Sequence, residues 1–302
     1  MTIDDEMPDP SDVTAMSEAF NLREACSQYT GSPVVATSHL EYGYANESHR
    51  VELADGDSIV VRILKLTSPE RARQEISIQH ALVDAGITTP VSQTMKNGNV
   101  VGELGGHAFT ISHMIEGQHP QVVNEDLVTE FGRVLARFHN ATQQLAIAGS
   151  SWLSEPTISQ EIAGVDDSTM RLRLQQMRDG VLNLYDAGLP VANIHGDLWA
   201  SNVFVENGRI TAVFDLETTE KTLRIMDIGR TAIDPALEMK TSVPDILEML
   251  RDGYEEVDAL TDKERGALPD AFRLAAVACS AWHYNHGFQD YALDAMQHAE
   301  SL

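Results

Sequence analysis

The sequence predicts an α+β fold in which a β-rich N-terminal part precedes a mainly helical C-terminal part. Short β-type runs dominate from residue 34 to residue 116, with one helical pattern among them. Beyond Gly117 the apolar residues mostly recur at helical spacing. This order is typical of two lobes that each have a core. We predict an acidic disordered tail over 1–12, an N-terminal lobe over 13–116 and a C-terminal lobe over 117–302.

The N-terminal lobe is predicted to contain two helices and six strands. Apolar spacing predicts the first helix over Val13–Gln28. Ser68 is the expected N-cap of the second helix, Pro69 occupies its first turn, and Gly86 ends it. The predicted strands are Val34–Thr37, His49–Leu53, Ser58–Leu64, Val91–Met95, Val100–Leu104 and Ala108–Ile115.

The C-terminal lobe is predicted to be helical except for one hairpin. Two amphipathic helices, Glu125–Ala148 and Met170–Ala187, bracket a polar stretch, 150–168, that reads as a loop or lid. The hairpin pairs Asn202–Val205 with Ile210–Phe214 around Asn-Gly. Helices are predicted over most of 223–302, with breaks near Pro244, Asp258 and Gly287.

Composition excludes several classes of function. The formal charge of the 302-residue chain is -25, so nucleic acid and anionic membranes are poor partners, and a cationic or zwitterionic molecule is favoured. No apolar run is long enough to span a bilayer, and the N-terminus lacks the pattern of a secretory signal. Two cysteines are too few for a disulfide framework or a thiolate metal site. These features predict a cytoplasmic protein.

The chemistry is concentrated in the segment His195-Gly196-Asp197-Leu198-Trp199-Ala200-Ser201-Asn202. An Asp followed five positions later by an Asn, just before a hairpin, is the catalytic-loop spacing of phosphoryl-transfer enzymes. Asp197 would take the proton of an acceptor hydroxyl. Asn202 and Asp215, which follows the apolar strand of the hairpin, would hold Mg²⁺.

This segment resembles the Brenner-type motif of the aminoglycoside phosphotransferase and choline kinase superfamily, which has a protein-kinase-like fold. Weaker matches agree in order, namely Phe131 to His139, Met226-Asp227-Ile228-Gly229, Asp57 to Leu64 and Arg71 to Gly86. The resemblance covers roughly residues 34 to 290. It implies a small-molecule kinase that uses Mg²⁺ and ATP, with GTP open, and it assigns Asp227 to bracing rather than chemistry.

A basic residue on the third strand is expected to contact the phosphates, paired with a Glu on the next helix. Arg62 and Lys65 are the candidates, and they lie on opposite faces of the strand. Arg62 sits between Val61 and Ile63, where a charge needs partners. We therefore favour Arg62 paired with Glu75, with Lys65 as the alternative.

Two further segments are candidates for nucleotide binding. The loop Leu40 to Ser48 has a single glycine and resembles the phosphate-covering loop of the homoserine kinase branch, with Asn46 as its polar group. The segment from Ser112 through Met114 to Gly117 is expected to be the hinge between the lobes. Its backbone groups would read the edge of the base.

The sequence specifies the reaction more closely than it specifies the acceptor. The single-glycine loop and Leu268 to Arg273, which reads as opening a late helix, resemble type II homoserine kinases. Choline or ethanolamine, aminoglycosides and sugars stay open as acceptors. The candidate substrate contacts are Glu217, Glu220 and Trp282. A pseudokinase that only binds nucleotide is the alternative from another class, and the intact Asp–Asn–Asp set argues against it.

Overall fold

The computed structural model describes residues 20–40, 46–147 and 152–302. It divides the chain into two compact units, an N-terminal unit of Met1–Gln79 with Pro90–Ile115 and a C-terminal unit of His80–Thr89 with Glu116–Leu302. The predicted disordered tail lies outside the described residues. So does the first part of the predicted helix over Val13–Gln28.

A five-stranded antiparallel sheet forms the N-terminal unit, with strand order β1-β2-β3-β5-β4. Its elements are α1 (Leu22–Tyr29), β1 (Val34–Leu40), β2 (Asn46–Leu53), β3 (Ser58–Leu64), α2 (Pro69–Asp84, which continues into the C-terminal unit), β4 (Gly102–Leu104) and β5 (His107–His113). Among the described residues, helix α1 begins at Leu22, where the Asn21 side chain caps it by accepting from the Glu24 N–H.

The core of this unit lies on one face of the sheet. Alternate residues of β3, Ile59, Val61 and Ile63, are buried there together with Cys26 of α1. Arg62 therefore points to the opposite face. This alternation was predicted from the period of two in the sequence.

The prediction of a strand at Val91–Met95 is wrong. Only Ser92 makes a β-bridge, to Ser112. The Ser92 amide instead donates to the Gln79 side chain, and the Met95 amide donates to the Asn99 carbonyl within a turn. Because a side chain and a turn carbonyl satisfy these two amides, no ladder forms over this segment. The strand predicted at Val100–Leu104 is shortened to β4 for its last three residues.

The C-terminal unit is mainly helical. Its helices are α3 (Glu125–Thr142), α4 (Glu155–Gly164), α5 (Ser168–Val181), α6 (Ile225–Thr231), α7 (Ile233–Glu238), α8 (Val243–Glu255), α9 (Asp262–Asn285) and α10 (Gln289–Glu300). Two antiparallel strand pairs complete it: β6 (Val191–Ile194) with β9 (Glu220–Leu223), and β7 (Val203–Glu206) with β8 (Arg209–Val213). The hairpin turn has positive φ at Asn207 and Gly208, as Asn-Gly predicts.

Several boundaries differ from the sequence prediction. The stretch predicted as a loop contains α4, which buries Ile158 and Ile162 one helical turn apart. Helix α9 begins at Asp262 behind a capping box of Thr261 and Glu264, so Leu268 does not open a helix. The helical breaks predicted near Pro244, Asp258 and Gly287 are confirmed, and Pro244 itself lies in the first turn of α8. Strand β9 was not predicted.

Glycine decides how closely two helix pairs pack. A Cβ on Gly132 of α3 would collide with the Leu250 carbonyl of α8, and one on Gly253 of α8 with the Thr129 carbonyl of α3. A Cβ on Gly229 of α6 would lie 2.6 Å from the Ala271 carbonyl oxygen of α9. The close approach at Gly229 brings α6 against α9. In the part of the chain that the structure describes, no helix is long and apolar enough to cross a membrane.

Candidate active site

The loop that carries Asp197 is held by its backbone. It follows β6, and Asp227 of α6 accepts from both amides that precede Asp197: the His195 N–H at 2.7 Å and the Gly196 N–H at 2.9 Å. His139 Nε2 also lies 2.9 Å from this carboxylate. Burial opposes ionisation of Asp227, but these hydrogen bonds hold its pKa below the usual range. Asp227 thus acts as a brace of the loop.

His195 joins this loop to the strand before Asp215. Its Nε2 lies 3.0 Å from the Phe214 carbonyl, and its Nδ1 lies 3.2 Å from the Asp197 amide. These partners assign the neutral tautomer with the proton on Nε2. Complete burial lowers the pKa of His195 and so favours the same neutral form.

Gly196 has φ of +83°, which favours glycine at this point of the loop. The Trp152 indole N–H donates to the Gly196 carbonyl at 3.2 Å, and the Thr218 hydroxyl donates to the His195 carbonyl at 2.8 Å. Both backbone carbonyls that precede Asp197 therefore accept a hydrogen bond from a side chain outside the loop.

Asn202 faces Asp197 within the same loop. Its amide nitrogen donates to the Asp197 backbone carbonyl at 2.8 Å and to Asp197 Oδ2 at 3.2 Å. The Phe214 N–H donates to the Asn202 carbonyl at 2.9 Å, which places Asn202 beside the end of β8. The structure thus brings Asp197, Asn202 and the residue before Asp215 together, as the sequence spacing predicts.

The donor set fits a hard divalent cation. With the Asn202 nitrogen committed to Asp197, its Oδ1 is the atom that can serve as a ligand, and exposed Asp215 supplies a carboxylate. No group of three or more His, Cys, Asp or Glu over 20–40, 46–147 and 152–302 holds a metal by itself. Few protein ligands are typical of a Mg²⁺ ion that also binds substrate phosphates.

Asp215 has φ of +60° and ψ of +68°, the left-handed conformation. Asp and Asn tolerate this region better than other side chains. The turn after Asp215 carries Glu217, which is half-buried, and leads into β9. The conformation therefore redirects the chain immediately after the carboxylate.

Arg230 is a contact of Asp197 that was not predicted. Its Nη2 lies 2.5 Å from Asp197 Oδ1, and its Nη1 lies 2.6 Å from Asp234 Oδ2. A signal for it exists in the sequence. Arg230 stands in an apolar stretch with Ile228 and Ile233, where a cation requires partners. The same argument singled out Arg62. Trp152 was also missed, and no local pattern distinguishes it. Asp234 was missed although it stands four residues after Arg230, the spacing of an ion pair along a helix.

The N-terminal unit holds the predicted basic pair. Arg62 Nη1 lies 2.7 Å from Glu75 Oε2, and the Glu75 side chain is only 2% exposed. Arg62 Nη2 also approaches the Thr67 hydroxyl at 3.5 Å. Asn46 donates to the same hydroxyl at 2.8 Å and accepts from the Lys65 amide at 3.1 Å. Four predicted or neighbouring polar groups thus form one network.

Lys65 is engaged elsewhere. Its ammonium lies 2.8 Å from Glu47 Oε2, and His49 Nε2 lies 2.6 Å from Glu47 Oε1. Glu47 pairs with Ile63 in the sheet, so this cluster is on the face opposite Arg62. The hydrogen bonds from Lys65 and His49 outweigh burial and lower the pKa of Glu47.

The predicted hinge segment is partly committed to the sheet. Ser112 lies on β5 opposite Val60, and the Met114 amide donates to the Ser58 carbonyl at 3.0 Å. That N–H is therefore occupied by the protein itself. Residues 41–45 of the predicted phosphate-covering loop lie outside the described residues, whereas Asn46 begins β2.

The predicted substrate contacts occupy different environments in the C-terminal unit. Glu220 is 5% exposed and pairs with Ile194 in the β6–β9 ladder. Trp282 of α9 is half-buried and stacks on His286 with ring centroids 4.1 Å apart. The aromatic partner of Trp282 therefore lies at the C-terminal end of the same helix. Burial makes Glu220 a poorer ligand contact than Glu217.

A β-rich unit with an Arg–Glu pair and a helical unit with a braced Asp–Asn loop define a small-molecule kinase of the protein-kinase-like fold. Residues 38–268 match the model of the phosphotransferase enzyme family. The chain belongs to this family, and it phosphorylates a hydroxyl group. The predicted superfamily and fold are confirmed.

Among curated proteins, the chain is similar to homoserine kinases. It is 25% identical to that of Granulibacter bethesdensis over 259 residues, covering 83% of this chain and 81% of that protein. It is 23% identical to that of Gluconobacter oxydans over 271 residues, covering 86% and 85%.

Solved structures show the same fold. An amicoumacin kinase, hAmiN, in complex with AMP-PNP, Ca²⁺ and Ami, superposes with a TM-score of 0.76 at 16% identity, covering 97% of this chain and 96% of that one. A microcompartment-associated aminopropanol kinase gives 0.74 at 20% identity, with 94% of each chain covered. These likenesses extend the protein-kinase-like fold over nearly the whole chain.

Proposed function

We propose that this kinase transfers the γ-phosphoryl group of ATP, with Mg²⁺, to the hydroxyl of a small amine-bearing metabolite, of the homoserine or amino-alcohol class. The observation that carries the proposal is the placement of Asp197. Its carboxylate is 26% exposed, and both oxygens are oriented by donors, Arg230 and Asn202. The named activities of the homoserine kinase relatives and of the aminopropanol kinase support this acceptor class.

Asp197 acts on the acceptor. The hydroxyl oxygen forms a bond to the γ-phosphorus while the bond from that phosphorus to the bridging oxygen of ADP breaks. The hydroxyl proton passes to the Asp197 carboxylate, and ADP leaves with the bridging oxygen. A carboxylate held in one orientation provides much of the rate by positioning, because a near-attack geometry removes orientational entropy from the barrier.

Asn202 and Asp215 are proposed to hold the cation. Bound there, a Mg²⁺ ion would neutralise charge on the phosphates of the nucleotide. The chain supplies the two oxygen ligands and fixes one of them, since the Asn202 amide is oriented by Asp197. The complex of the amicoumacin kinase with AMP-PNP and Ca²⁺ supports the use of ATP and a divalent cation.

Arg62 is proposed to bind phosphate oxygens of the nucleotide. Glu75 orients its guanidinium, and Thr67 and Asn46 complete the polar network around it. A guanidinium fork suits the planar arrangement of phosphate oxygens. The pairing of Lys65 with Glu47 on the other face of the sheet supports Arg62 over Lys65 for this role.

An ammonium group on the acceptor is proposed because the acidic residues near Asp197 outnumber the cations. Asp197 and Asp234 share a single guanidinium, that of Arg230. Half-buried Glu217, two residues after Asp215, is the proposed carboxylate contact of the ammonium. Trp282 remains a candidate apolar contact, and Glu220 is assigned to support of the β6–β9 ladder.

The test is acceptor-dependent ADP release with Mg²⁺ and ATP. Homoserine, ethanolamine, aminopropanol, choline, an aminoglycoside and a sugar would be compared, each with wild-type protein and with Asp197→Ala. We expect turnover with homoserine or an amino alcohol, and a rate about 10³-fold lower with the variant. Turnover only with the sugar would overturn the amine assignment. Nucleotide binding without turnover on any acceptor would instead support the pseudokinase alternative. Substituting GTP for ATP would determine nucleotide preference.

A further inference from the structure

One guanidinium links Asp197 to a second carboxylate in the C-terminal unit. Arg230 contacts Asp197 Oδ1 through one nitrogen and Asp234 Oδ2 through another, at 2.5 and 2.6 Å. The Arg230 side chain is 6% exposed, whereas that of Asp197 is 26% exposed. The cation is therefore shielded by the protein while the carboxylate it holds stays accessible.

The two oxygens of Asp197 have different donors. Arg230 binds Oδ1, and the Asn202 amide donates to Oδ2 at 3.2 Å. A carboxylate bound at both oxygens cannot rotate about χ2 without breaking a hydrogen bond, and the bond to a cation is the stronger. Removing Arg230 would leave the Asp197 side chain with a single weak restraint.

Asp234, which holds Arg230, is itself held by a residue of another helix. Asp234 of α7 accepts the Tyr291 hydroxyl of α10 at 2.8 Å on its other oxygen. The Tyr291 ring stacks on His283 of α9 with centroids 4.0 Å apart. A chain of contacts thus runs from α10 through Asp234 to Arg230 and ends at Asp197. Its geometry is set by the packing of whole helices.

The stability of the fold alone does not explain this arrangement. A buried ion pair loses hydration on both partners, and apolar replacements are often neutral or better. Arg230 Nε is also buried with no hydrogen-bond partner among the described residues, which carries a further cost. Because the buried Arg230 ion pair carries these costs and lies at the carboxylate of the proposed base Asp197, it is better explained as a device that orients this carboxylate.

We propose that Arg230 is a positioning residue that fixes the Asp197 carboxylate toward the acceptor hydroxyl, with Asp234 and Tyr291 fixing Arg230. The proposal depends on the proposed role of Asp197. Lys cannot reproduce it fully, because a single ammonium does not span two carboxylates as a planar fork does.

Steady-state kinetics test the role. Arg230→Met should lower kcat about 100-fold, the loss expected from a misplacement of about 1 Å, with the nucleotide KM changed less than about twofold. Arg230→Lys should recover part of the loss, and Tyr291→Phe, which keeps the ring stack, should lower kcat severalfold. Arg265→Met, at an exposed ion pair of α9, is the control. A folded Arg230→Met protein with kcat within about threefold of wild type would overturn the proposal. So would a decrease in kcat that is fully accounted for by the fraction of the variant that is unfolded.

A second measurement needs no turnover. Thermal unfolding of wild type, Arg230→Met, Asp197→Asn and the double variant should show Tm losses that are sub-additive by about 3 °C, the signature of a direct pair in a chain of this size. Additive losses would overturn the direct pairing of Arg230 with Asp197 even if no acceptor were found. If Arg230 and Asp197 are coupled in the unfolding experiment but the wild-type protein phosphorylates no acceptor, the proposed function would be contradicted instead. If Arg230→Met does not fold, Arg230→Lys and Tyr291→Phe decide the kinetic question.

Discussion

The Nε2–H of His195 donates to the backbone carbonyl of Phe214 over 3.0 Å. Through its other nitrogen the same imidazole accepts from the amide of Asp197. One neutral, buried side chain thus sets the distance between the proposed base and the strand end that carries the proposed metal ligand Asp215. This contact relies on the imidazole staying uncharged, because Nδ1 can accept only when it carries no proton.

The stability of the protein should fall when the pH drops below about 6.5, the pKa of a free imidazole. Burial lowers the pKa of His195 in the folded state, so the unfolded chain takes up a proton in this window and the folded chain does not. Each pH unit then costs up to about 1.4 kcal/mol until the folded pKa is reached. Urea unfolding of wild type and His195→Gln between about pH 5 and 7 checks this. Equal pH slopes would contradict it.

Asp197→Ala should lower kcat by about 10³-fold, within the range of general-base removal, with nucleotide affinity changed less than about twofold. The reason is that Asp197 is proposed to act on the acceptor and not on the nucleotide. Calorimetric nucleotide titration and ADP release measure the two effects, with Asp84→Asn, at an exposed position at the end of α2, as the control. A variant retaining a tenth of the wild-type rate would show that the base lies elsewhere.

Asp215→Asn should weaken nucleotide binding in the presence of Mg²⁺ by about tenfold, which is ~1.4 kcal/mol. The substitution removes the charge but keeps a side chain that tolerates the left-handed conformation at this position, so the backbone should not change. Titrations with Mg²⁺ and with EDTA separate the effects. A loss that persists in EDTA would mean that Asp215 does not act through the metal.

Arg62→Met and Glu75→Gln should each raise the nucleotide KM and lower kcat, and the double variant should cost less than the sum. Glu75 is 2% exposed and orients the guanidinium, so either change disables the same unit. The coupling should be about 0.5–3 kcal/mol. Kinetics on the four proteins give it directly. Additive losses would show that the two residues act independently.

Lys65→Met is the matched control for Arg62, with a different expected signature. Glu47 is 3% exposed, so removing Lys65 takes the ammonium away from a buried carboxylate whose other oxygen lies 2.6 Å from His49 Nε2. The cost should appear as about 3 kcal/mol of unfolding free energy and not as a higher nucleotide KM. A larger effect on KM than that of Arg62→Met would reverse the assignment of the phosphate contact.

Gly229→Ala should destabilise the protein by about 1–3 kcal/mol, the usual cost of overpacking, and lower kcat as well. The added Cβ would lie 2.6 Å from the Ala271 carbonyl oxygen and force α6, which carries Asp227 and Arg230, away from α9. Gly266→Ala in α9, which meets nothing within 4 Å, should instead be neutral or stabilising. Denaturant unfolding and ADP release on both variants check this pair. Equal stability of the two variants would argue against the close approach.

Much of the centre was predictable from local sequence. The spacing from Asp197 to Asn202 and the apolar strand before Asp215 determine a loop and a hairpin, because turn residues and β-type runs act over a few positions. Alternation along β3 likewise determined that Arg62 and Lys65 face opposite sides. The roles of these residues in catalysis remain predictions.

Only the tertiary structure decided which distant groups support that centre. Arg230 stands 33 residues after Asp197, and Tyr291 stands 57 residues after Asp234. These contacts depend on how α6 and α7 pack against the Asp197 loop and α10, which no local period encodes. The same holds for the strand predicted at Val91–Met95, where the Gln79 side chain satisfies the Ser92 amide. Local propensity determines which conformations are available to a segment, and the partners that satisfy its polar groups select among them.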